Sequence, residues 1–369
     1  MKLITFKTVA VALACAGLLA SAVLANDAVD ACAKKEIDQG MFLGAVVVVG
    51  QPGKILFCKA YGQRDVGKPM TTDCLFDIAS VTKVTTVATA LAITLHRHPE
   101  ISLDDPMQKY LPGMTGKGAD AVTIRNMAMH RSGLDNTKTL HAKYQGEELV
   151  KQILMRDNQW AVGSRWKYSC LGMIRLGEMI ASINQTEFGD FCKENIFVPL
   201  GMTDTCFSPV PANLRSRCVT TTAPLGIVSD LNAQRIGRPV GNAGVFSTAQ
   251  DLAKLATLWL QKGEYGGKCL FSTAIYDEFT GGSIVWQTMD EKVFPLPNNV
   301  SPGSFYHSGH TGQLLIVDPK RNAYVIVLTV WLHPAIKASF DDGRKARGRL
   351  AGVVIDSVLG DGKRKEEHD

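Results

Sequence analysis

Hydrophobic positions change their spacing along the chain. Near both ends they form short runs that predict strands. Residues 43–62 favour a hairpin around a turn at Gln51–Lys54, and residues 312–331 favour a second hairpin that turns at Asp318–Asn322. Between the hairpins, apolar residues recur at helical intervals. The predicted helices cover residues 123–130, 145–157, 171–184, 187–197 and 247–263, and a last one follows the second hairpin at 341–359.

This order of strands, a long helical middle, strands and a closing helix predicts an α+β fold. Terminal strands that pair around a helical insert form an antiparallel sheet flanked by helices. We expect one large domain, with an α/β lobe from residues 26–100 and 240–359 and a mostly helical lobe from residues 101–239. Residues 208–243, rich in Pro, Thr and Asn, are expected to form loops. Ser247 is a candidate cap for the helix after them.

Residues 1–25 have the pattern of a secretory signal peptide. Two lysines precede an apolar stretch, Thr8–Leu24, and small residues lead to a predicted cleavage after Ala25. An uncleaved membrane anchor is the alternative. No later apolar run is long enough to cross a bilayer. We therefore expect an exported protein, periplasmic or secreted, without a transmembrane segment once the signal is removed. Residues 360–369 form a charged tail at the other end.

Composition permits a large core and points to few special partners. Of 369 residues, 46% are hydrophobic and 20% charged, and the net charge is +5. We interpret the one basic cluster, Arg344–Arg349, as a solvated helix face, so no nucleic-acid partner is expected. Nine cysteines occur, and without Cys15 of the signal an even number remains for disulfides whose pairing the sequence leaves open. No C-x-x-C pair suggests zinc, and no metal site is predicted.

The stretch "CLFDIASVTKVTTVATALAITL" places Lys83 three residues after Ser80, at the start of an apolar helix. Helical spacing puts both residues on the stripe that faces the core. Burial and the positive end of the helix would both lower the pKa of Lys83. A neutral amine beside a hydroxyl is a general base next to a nucleophile. The Ser80 amide, at a helix N-terminus, is a candidate oxyanion donor.

Six stretches in this order resemble the serine β-lactamase-related family, which includes class C β-lactamases, β-lactamase-like esterases and D-alanyl-D-alanine peptidases. They are "LFDIASVTKVTT", "LDDPMQKYLPG", "MAMHRSGL", "GSRWKYSCLGMIRLGEMI…IFVPLGMTDT", "NAGVFSTAQDLAKL" and "YHSGHTGQLLIVDP". The likeness runs from about Gly44 to Leu359. It implies a β-lactamase/transpeptidase-like fold and a serine nucleophile at Ser80, with no cofactor.

The resemblance also implies roles for residues far from Ser80 in the sequence. Tyr168 stands where the family has the tyrosine of a Tyr-x-Asn motif, a proton relay between nucleophile and leaving group. Cys170 replaces the asparagine of that motif, and a thiol is a weak donor and acceptor. His307, Ser308 and Gly309 stand where class C β-lactamases have Lys-Thr-Gly. By analogy, the side chains of the first two face the substrate.

The residue after that motif is His310. Its backbone N–H is the expected second oxyanion donor, and its side chain is interpreted as a turn residue. The sequence therefore predicts an exported serine hydrolase, most readily an esterase or D-amino-acid peptidase, with β-lactams as a further substrate class. The alternative is a non-hydrolytic or slowly acylated penicillin-binding or sensing protein on the same fold. A small ester, peptide or β-lactam is the expected ligand, and the oligomeric state is left open.

Overall fold

A computed structural model describes residues 27–136, 139–288 and 296–360. The predicted signal peptide and residues 361–369 of the predicted tail lie outside this range. Within the described residues, seven strands form one antiparallel sheet in the order β3-β2-β1-β12-β11-β10-β9. The strands in chain order are β1 Gly44–Gln51, β2 Lys54–Asp65, β3 Lys68–Pro69, β4 Phe76–Asp77, β5 Cys206–Phe207, β6 Val245–Ser247, β7 Glu264–Tyr265, β8 Lys268–Cys269, β9 Gln287–Thr288, β10 Phe305–Ser308, β11 Gln313–Asp318 and β12 Ala323–Thr329.

Both predicted hairpins are confirmed. In the first, Gln51 pairs with Lys54 across a two-residue turn, and in the second Asp318 pairs with Ala323. Strand β1 then pairs with β12, so the two ends of the chain meet at the centre of the sheet. This pairing explains the run of four valines in β1. Val46 and Val48 enter the main core, whereas alternate residues enter a second core on the opposite face, as the period of two in a strand requires.

Helices cover both faces of the sheet. The second core is closed by the first and last helices, and the main core by α10, α2 and the helices of the middle of the chain. The helices are α1 (residues 27–38), α2 Thr89–Arg97, α3 Ile124–Ala128, α4 Leu140–Lys143, α5 Gly146–Leu154, α6 Cys170–Asn184, α7 Phe188–Cys192, α8 Ala212–Arg215, α9 Leu231–Ile236, α10 Ala249–Leu260, α11 Thr273–Gly281 and α12 Phe340–Val354.

The predicted helices are present, with differences at their ends. The predicted cap Ser247 is wrong by one position: the side chain of Thr248 accepts the hydrogen bond from the Asp251 amide, and α10 begins at Ala249. Residues 208–243 contain two short helices, α8 and α9, within the predicted loops. Single π-helical turns follow α7 and α12, at Lys193–Phe197 and Ile355–Leu359.

A second, small sheet positions the site. Within the described residues, β4, β6 and β5 form three short antiparallel strands in that order, with Asp77 opposite Phe246. Strand β4, which leads into the Ser80 segment, is therefore held in place by its pairing with β6. The cysteines from Cys32 to Cys269 lie within the described residues, and none of them forms a disulfide. In the described part of the chain, every helix is too short or too polar to span a bilayer.

Candidate active site

The segment that carries Ser80 and Lys83 is not the single regular helix that we expected. A 3₁₀ turn, Ala79–Val81, is followed by a π-helical turn, Lys83–Ala88, and only then by α2. The hydroxyl of Thr89 donates to the carbonyl five residues earlier, which matches the wider π spacing. The Ser80 side chain makes no capping hydrogen bond. Its hydroxyl is thus available for other contacts.

The residue before Ser80 has a strained backbone. Ala79 has φ +44°, in the left-handed region that non-glycine residues avoid at a cost of about 1–2 kcal/mol. Its amide donates to the Asp77 carboxylate at 2.9 Å, a contact that holds this conformation in place. Strain of this kind at a buried position is common where a chain must present one side chain in a fixed direction. Here that side chain is Ser80.

Ser80 lies between two proton carriers. Lys83 Nζ donates to Ser80 Oγ at 2.9 Å, and Tyr168 Oη donates to the same oxygen at 2.8 Å. Lys83 is fully buried and also donates to the backbone carbonyl of Asn242 at 2.7 Å. Tyr168 comes just before α6, whose first turn is capped by Ser169. The three residues predicted as catalytic are therefore joined by hydrogen bonds.

The pKa of Lys83 differs from our expectation. Burial does oppose a charge on Lys83, but the nearby Cys170 and Tyr168, when ionised, and the Asp230 carboxylate outweigh it, so the pKa of Lys83 is raised. The predicted lowering is wrong, because the sequence did not show which acidic groups surround the amine. Burial raises the pKa of Tyr168, and Lys83 offsets part of that rise. The pKa values of both groups thus lie above their ordinary values.

Cys170 occupies the first position of α6, and its thiol lines the cavity next to Ser80. Its backbone amide donates to the side-chain carbonyl of Asn136 at 2.9 Å. This brings the Asn136 side chain to the cavity, a placement that sequence reasoning missed. Lys83 is instead bound by the Asn242 backbone carbonyl. The related motif has an asparagine where this chain has Cys170. The side-chain amide of Asn136, from a different part of the chain, lies next to that position.

That His307 and Ser308 face the substrate stays a prediction, because neither is among the described residues that line the cavity. His307 is fully buried and Ser308 is only 7% exposed. The reason is that β10 is an internal strand between β9 and β11, with both of its faces covered. His307 Nδ1 contacts the Ser308 carbonyl at 3.0 Å, whereas its Nε2 has no hydrogen-bond partner among the described residues. Burial, together with Lys83, places the pKa of His307 well below its ordinary value.

The two residues after this strand approach the nucleophile segment. An added Cβ on Gly309 would lie 2.6 Å from the Ile78 carbonyl, so only glycine allows this close contact. His310 is exposed and lines the cavity together with Ser80. Its ring packs on Trp331 and Phe340 at centroid distances of 5.6 and 4.8 Å. The side chain that we interpreted as a simple turn residue therefore forms part of the wall.

Asp77 links the segments around Ser80, and sequence reasoning missed it. Its carboxylate is fully buried and accepts hydrogen bonds from the amide of Ala79 and from the amide and hydroxyl of Ser229, at 2.8 and 2.7 Å for the latter two. Its backbone carbonyl accepts from Thr311 Oγ1 at 2.7 Å and Gln313 Nε2 at 3.2 Å. Burial raises its pKa. The available signal was an acid inside the apolar stretch "CLFDIA".

A buried arginine holds the turn after β10 from the opposite side. Arg347 was expected on a solvated helix face, yet it is only 3% exposed. Its Nη1 donates to the carbonyl of Gln313 at 2.7 Å and, more weakly, to that of Gly309 at 3.4 Å. Burial lowers the pKa of Arg347 to about 9. The turn between residues 309 and 313 is thus held by backbone and side-chain hydrogen bonds from two directions.

The cavity above Ser80 has a volume of about 340 Å³. Asp230 caps α9 at its floor, where Oδ1 accepts from the Ala233 amide and from Asn242 Nδ2, both at 2.9 Å. Asn232, 5% exposed, has a carbonyl oxygen without a hydrogen-bond partner among the described residues. The residues that line the cavity are Ala79, Ser80, Asn136, His141, Tyr168, Cys170, Ser229, Asp230, Leu231, Asn232, Ala243 and His310.

Cofactor and metal ligands were not predicted. Across the described ranges, His, Cys, Asp and Glu side chains form no group of three or more arranged to hold a metal ion.

Known proteins resemble this chain over most of its length. The family model described as Beta-lactamase matches residues 29–348. An N-acetylmuramyl-L-alanine amidase of Bacillus subtilis (strain 168) is 26% identical over 361 residues, which cover 84% of this chain and 81% of the relative. Among solved structures, EstCE1, a hydrolase with promiscuous acyltransferase activity, superposes with a TM-score of 0.71 at 21% identity, covering 91% of this chain and 98% of that one.

A further solved structure, D-alanine carboxypeptidase AmpC from Burkholderia cenocepacia, has a TM-score of 0.66 at 20% identity and covers 89% of this chain and 98% of its own. At these identities the solved structures establish the fold, which confirms the predicted β-lactamase/transpeptidase-like architecture. The class of protein is a serine hydrolase. The chain belongs to the beta-lactamase family.

Proposed function

We propose that this chain is an exported serine hydrolase that forms an acyl-enzyme on Ser80 and acts on small esters or D-amino-acid peptides. One observation carries the proposal: Ser80 Oγ lies within 2.9 Å of Lys83 Nζ and 2.8 Å of Tyr168 Oη, inside a cavity that can admit a substrate. A serine held between two proton carriers is the arrangement that nucleophilic catalysis requires. Export rests on the pattern of residues 1–25.

The acylation step follows from this geometry. Once the Lys83–Tyr168 pair has released one proton to solvent, Ser80 Oγ attacks the substrate carbonyl and forms a bond to the acyl carbon. The serine proton passes to the pair, which titrates as one unit because the two groups share a buried site. The oxyanion is held by the backbone N–H groups of Ser80 and His310. The bond to the leaving group breaks, and the leaving group takes the proton from Tyr168. The bond between Ser80 Oγ and the acyl carbon remains, and the product of this step is the acyl-enzyme.

Deacylation repeats these steps with water. A water molecule attacks the acyl carbon and gives its proton to the same pair, the bond to Ser80 Oγ breaks, and the Ser80 hydroxyl is restored. Either partner can accept a proton only after losing its own, because Lys83 and Tyr168 both donate to Ser80 in the resting state. The raised pKa values of both groups therefore predict hydrolysis that accelerates toward alkaline pH.

A fluorophosphonate probe tests the nucleophile. We expect intact-mass analysis to show one phosphonyl group on the wild type and none on Ser80→Ala. Ser164, an exposed serine bonded to the Ala161 carbonyl, is the matched control, and Ser164→Ala should label like the wild type. Equal labelling of wild type and Ser80→Ala would reject Ser80 as nucleophile.

A slowly acylated binding or sensing protein is the second candidate. The raised pKa values of Lys83 and Tyr168 favour it, since both groups are protonated at neutral pH. Chromogenic esters distinguish the two candidates. A hydrolase releases product at a steady rate over many turnovers, whereas a binding protein gives one burst equal to the protein concentration and a stable acyl adduct.

A further inference from the structure

The wall of the cavity opposite Cys170 is built from consecutive residues that accept hydrogen bonds. Ser229 donates its hydroxyl proton to the buried Asp77 carboxylate at 2.7 Å, so its oxygen offers only lone pairs to a ligand. Asp230 brings a carboxylate. Asn232 also belongs to the lining, but its unpartnered carbonyl oxygen is buried and does not reach the cavity surface.

The charge of the cavity lining has only one sign, which is negative. Among the described residues that line the cavity, Asp230 is the only one with a full charge at neutral pH by residue type, and neither lysine nor arginine is present. Lys83 lies behind Ser80, fully buried, and donates to Ser80 and to the Asn242 carbonyl. A carboxylate on the substrate would therefore face Asp230 without a cation in the wall to bind it.

Resting on the proposed function, we propose that this cavity selects acyl donors that carry a primary ammonium group, such as aminoacyl esters and amides, over donors that carry a carboxylate. An ammonium is a charged N–H donor, and two neighbouring residues of the lining present acceptors to it: the Ser229 hydroxyl oxygen and the Asp230 carboxylate. Leu231, 51% exposed, follows Asp230 in the chain and offers an apolar contact for the carbon stem of such a group.

Three fluorophosphonate probes with tails of equal length test this selection on the full chain. The tails end in a primary ammonium, a methyl group and a carboxylate. We measure the second-order rate constant for adduct formation on Ser80 by intact mass at neutral pH and low salt. The ammonium probe should react fastest and the carboxylate probe slowest, with at least about a tenfold difference between these two. High salt should narrow the difference.

Asp230→Asn identifies the source of the selection. Asparagine keeps a side-chain oxygen that can cap α9 and accept from Asn242, but it removes the charge. We expect the ratio of ammonium to carboxylate rates to fall severalfold. Asp190→Asn removes an exposed carboxylate in the first turn of α7 and should leave the ratio unchanged.

The outcomes separate this inference from the proposed function. Failure of all three probes to label Ser80 overturns both. Labelling of Ser80 at equal rates by all three, or fastest labelling by the carboxylate probe, overturns the ammonium selection alone and leaves the serine hydrolase standing. If Asp230→Asn does not fold, the order of rates in the wild type still decides the question.

Discussion

On one side of the cavity, Ser80, Lys83 and Tyr168 are joined to one another through their side chains. On the other side, residues 307–310 bring a strand end whose first two side chains are buried. We call these the nucleophile wall and the strand wall. The strand wall is held through its backbone, since Asp77 and Arg347 are hydrogen-bonded around its turn. The nucleophile wall thus supplies reactive side chains, and the strand wall supplies backbone groups in fixed positions.

The largest effect is expected on the nucleophile wall. Lys83→Ala removes one of the two proton carriers at Ser80, and we expect kcat for an activated ester to fall by about 10³-fold, within the range for loss of general acid–base catalysis. The control is Lys254→Ala, a lysine that pairs with Asp251 away from the cavity. An equal loss of activity in Lys83→Ala and Lys254→Ala would contradict the catalytic role given to the nucleophile wall.

A smaller effect is expected where the two walls are joined. In the wild type, backbone N–H donors face the Asp77 carboxylate. Asp77→Asn places an amide N–H against these donors, so the Ser80 segment and the turn after β10 should shift relative to each other. We expect a loss of about 10- to 100-fold in kcat/KM, because small displacements of reacting groups are costly.

Thr248→Ala separates positioning from general destabilisation. Loss of this cap on α10 should lower the free energy of unfolding by about 1 kcal/mol while the rate of Ser80 labelling stays at the wild-type value. If Asp77→Asn lowers Tm without slowing the labelling of Ser80, Asp77 is structural only.

Cys170→Ala should change kcat/KM by less than about tenfold, because the two hydrogen bonds of Lys83 go to Ser80 and Asn242. Cys170→Asn, which restores the asparagine found in the related motif, measures whether an amide at this position adds rate. Both are checked by ester hydrolysis under the same conditions. A 100-fold loss in Cys170→Ala would show that the thiol side chain is part of the nucleophile wall's chemistry.

The smallest effect on activity is expected for His307→Gln on the strand wall, where the consequence lies in stability. Burial lowers the pKa of His130 to about 3 and that of His307 well below its ordinary 6.5. Below pH 6.5 the unfolded chain takes up protons that the folded chain does not, so stability is lost as the pH falls, by about 1.4 kcal/mol per pH unit for each histidine.

Denaturant unfolding measured from pH 7 to pH 5 checks this. The wild type should lose stability more steeply than His307→Gln, and the difference in slope should approach the contribution of one histidine. His96→Gln, at an exposed histidine in the last turn of α2, is the matched control. Equal slopes in wild type and His307→Gln would contradict the burial of His307.

The nucleophile wall could be predicted from the sequence because its signals are local or motif-like. Ser80 and Lys83 are three residues apart, and "GSRWKYS" identified Tyr168 although 88 residues separate it from Ser80. The pairing of the terminal strands in one antiparallel sheet followed from two hairpins and a helical middle. These are features that periodicity and short turns specify.

What could not be predicted depends on contacts between distant segments. The raised pKa of Lys83 requires Tyr168 and Cys170 at its side. The burial of His307 requires β9 and β11 on its two edges, and the role of Asp77 requires partners 152 and 234 residues away. An alternating pattern shows which residues share a face of a strand, but not whether a further layer covers that face.

The π-helical turn at Lys83–Ala88 has a consequence for how this chain can change length. A π turn accommodates one residue more than an α turn, so removal of a single residue from 84–88 would let the segment close into regular α-helix. Everything before the deletion would then rotate by roughly 100° about the axis relative to α2. Ser80 and Lys83 would keep their spacing but turn away from Tyr168 and the Asn242 carbonyl. The extra residue therefore sets the angle of the active site, and single-residue deletions here should be far less tolerated than substitutions at the same positions.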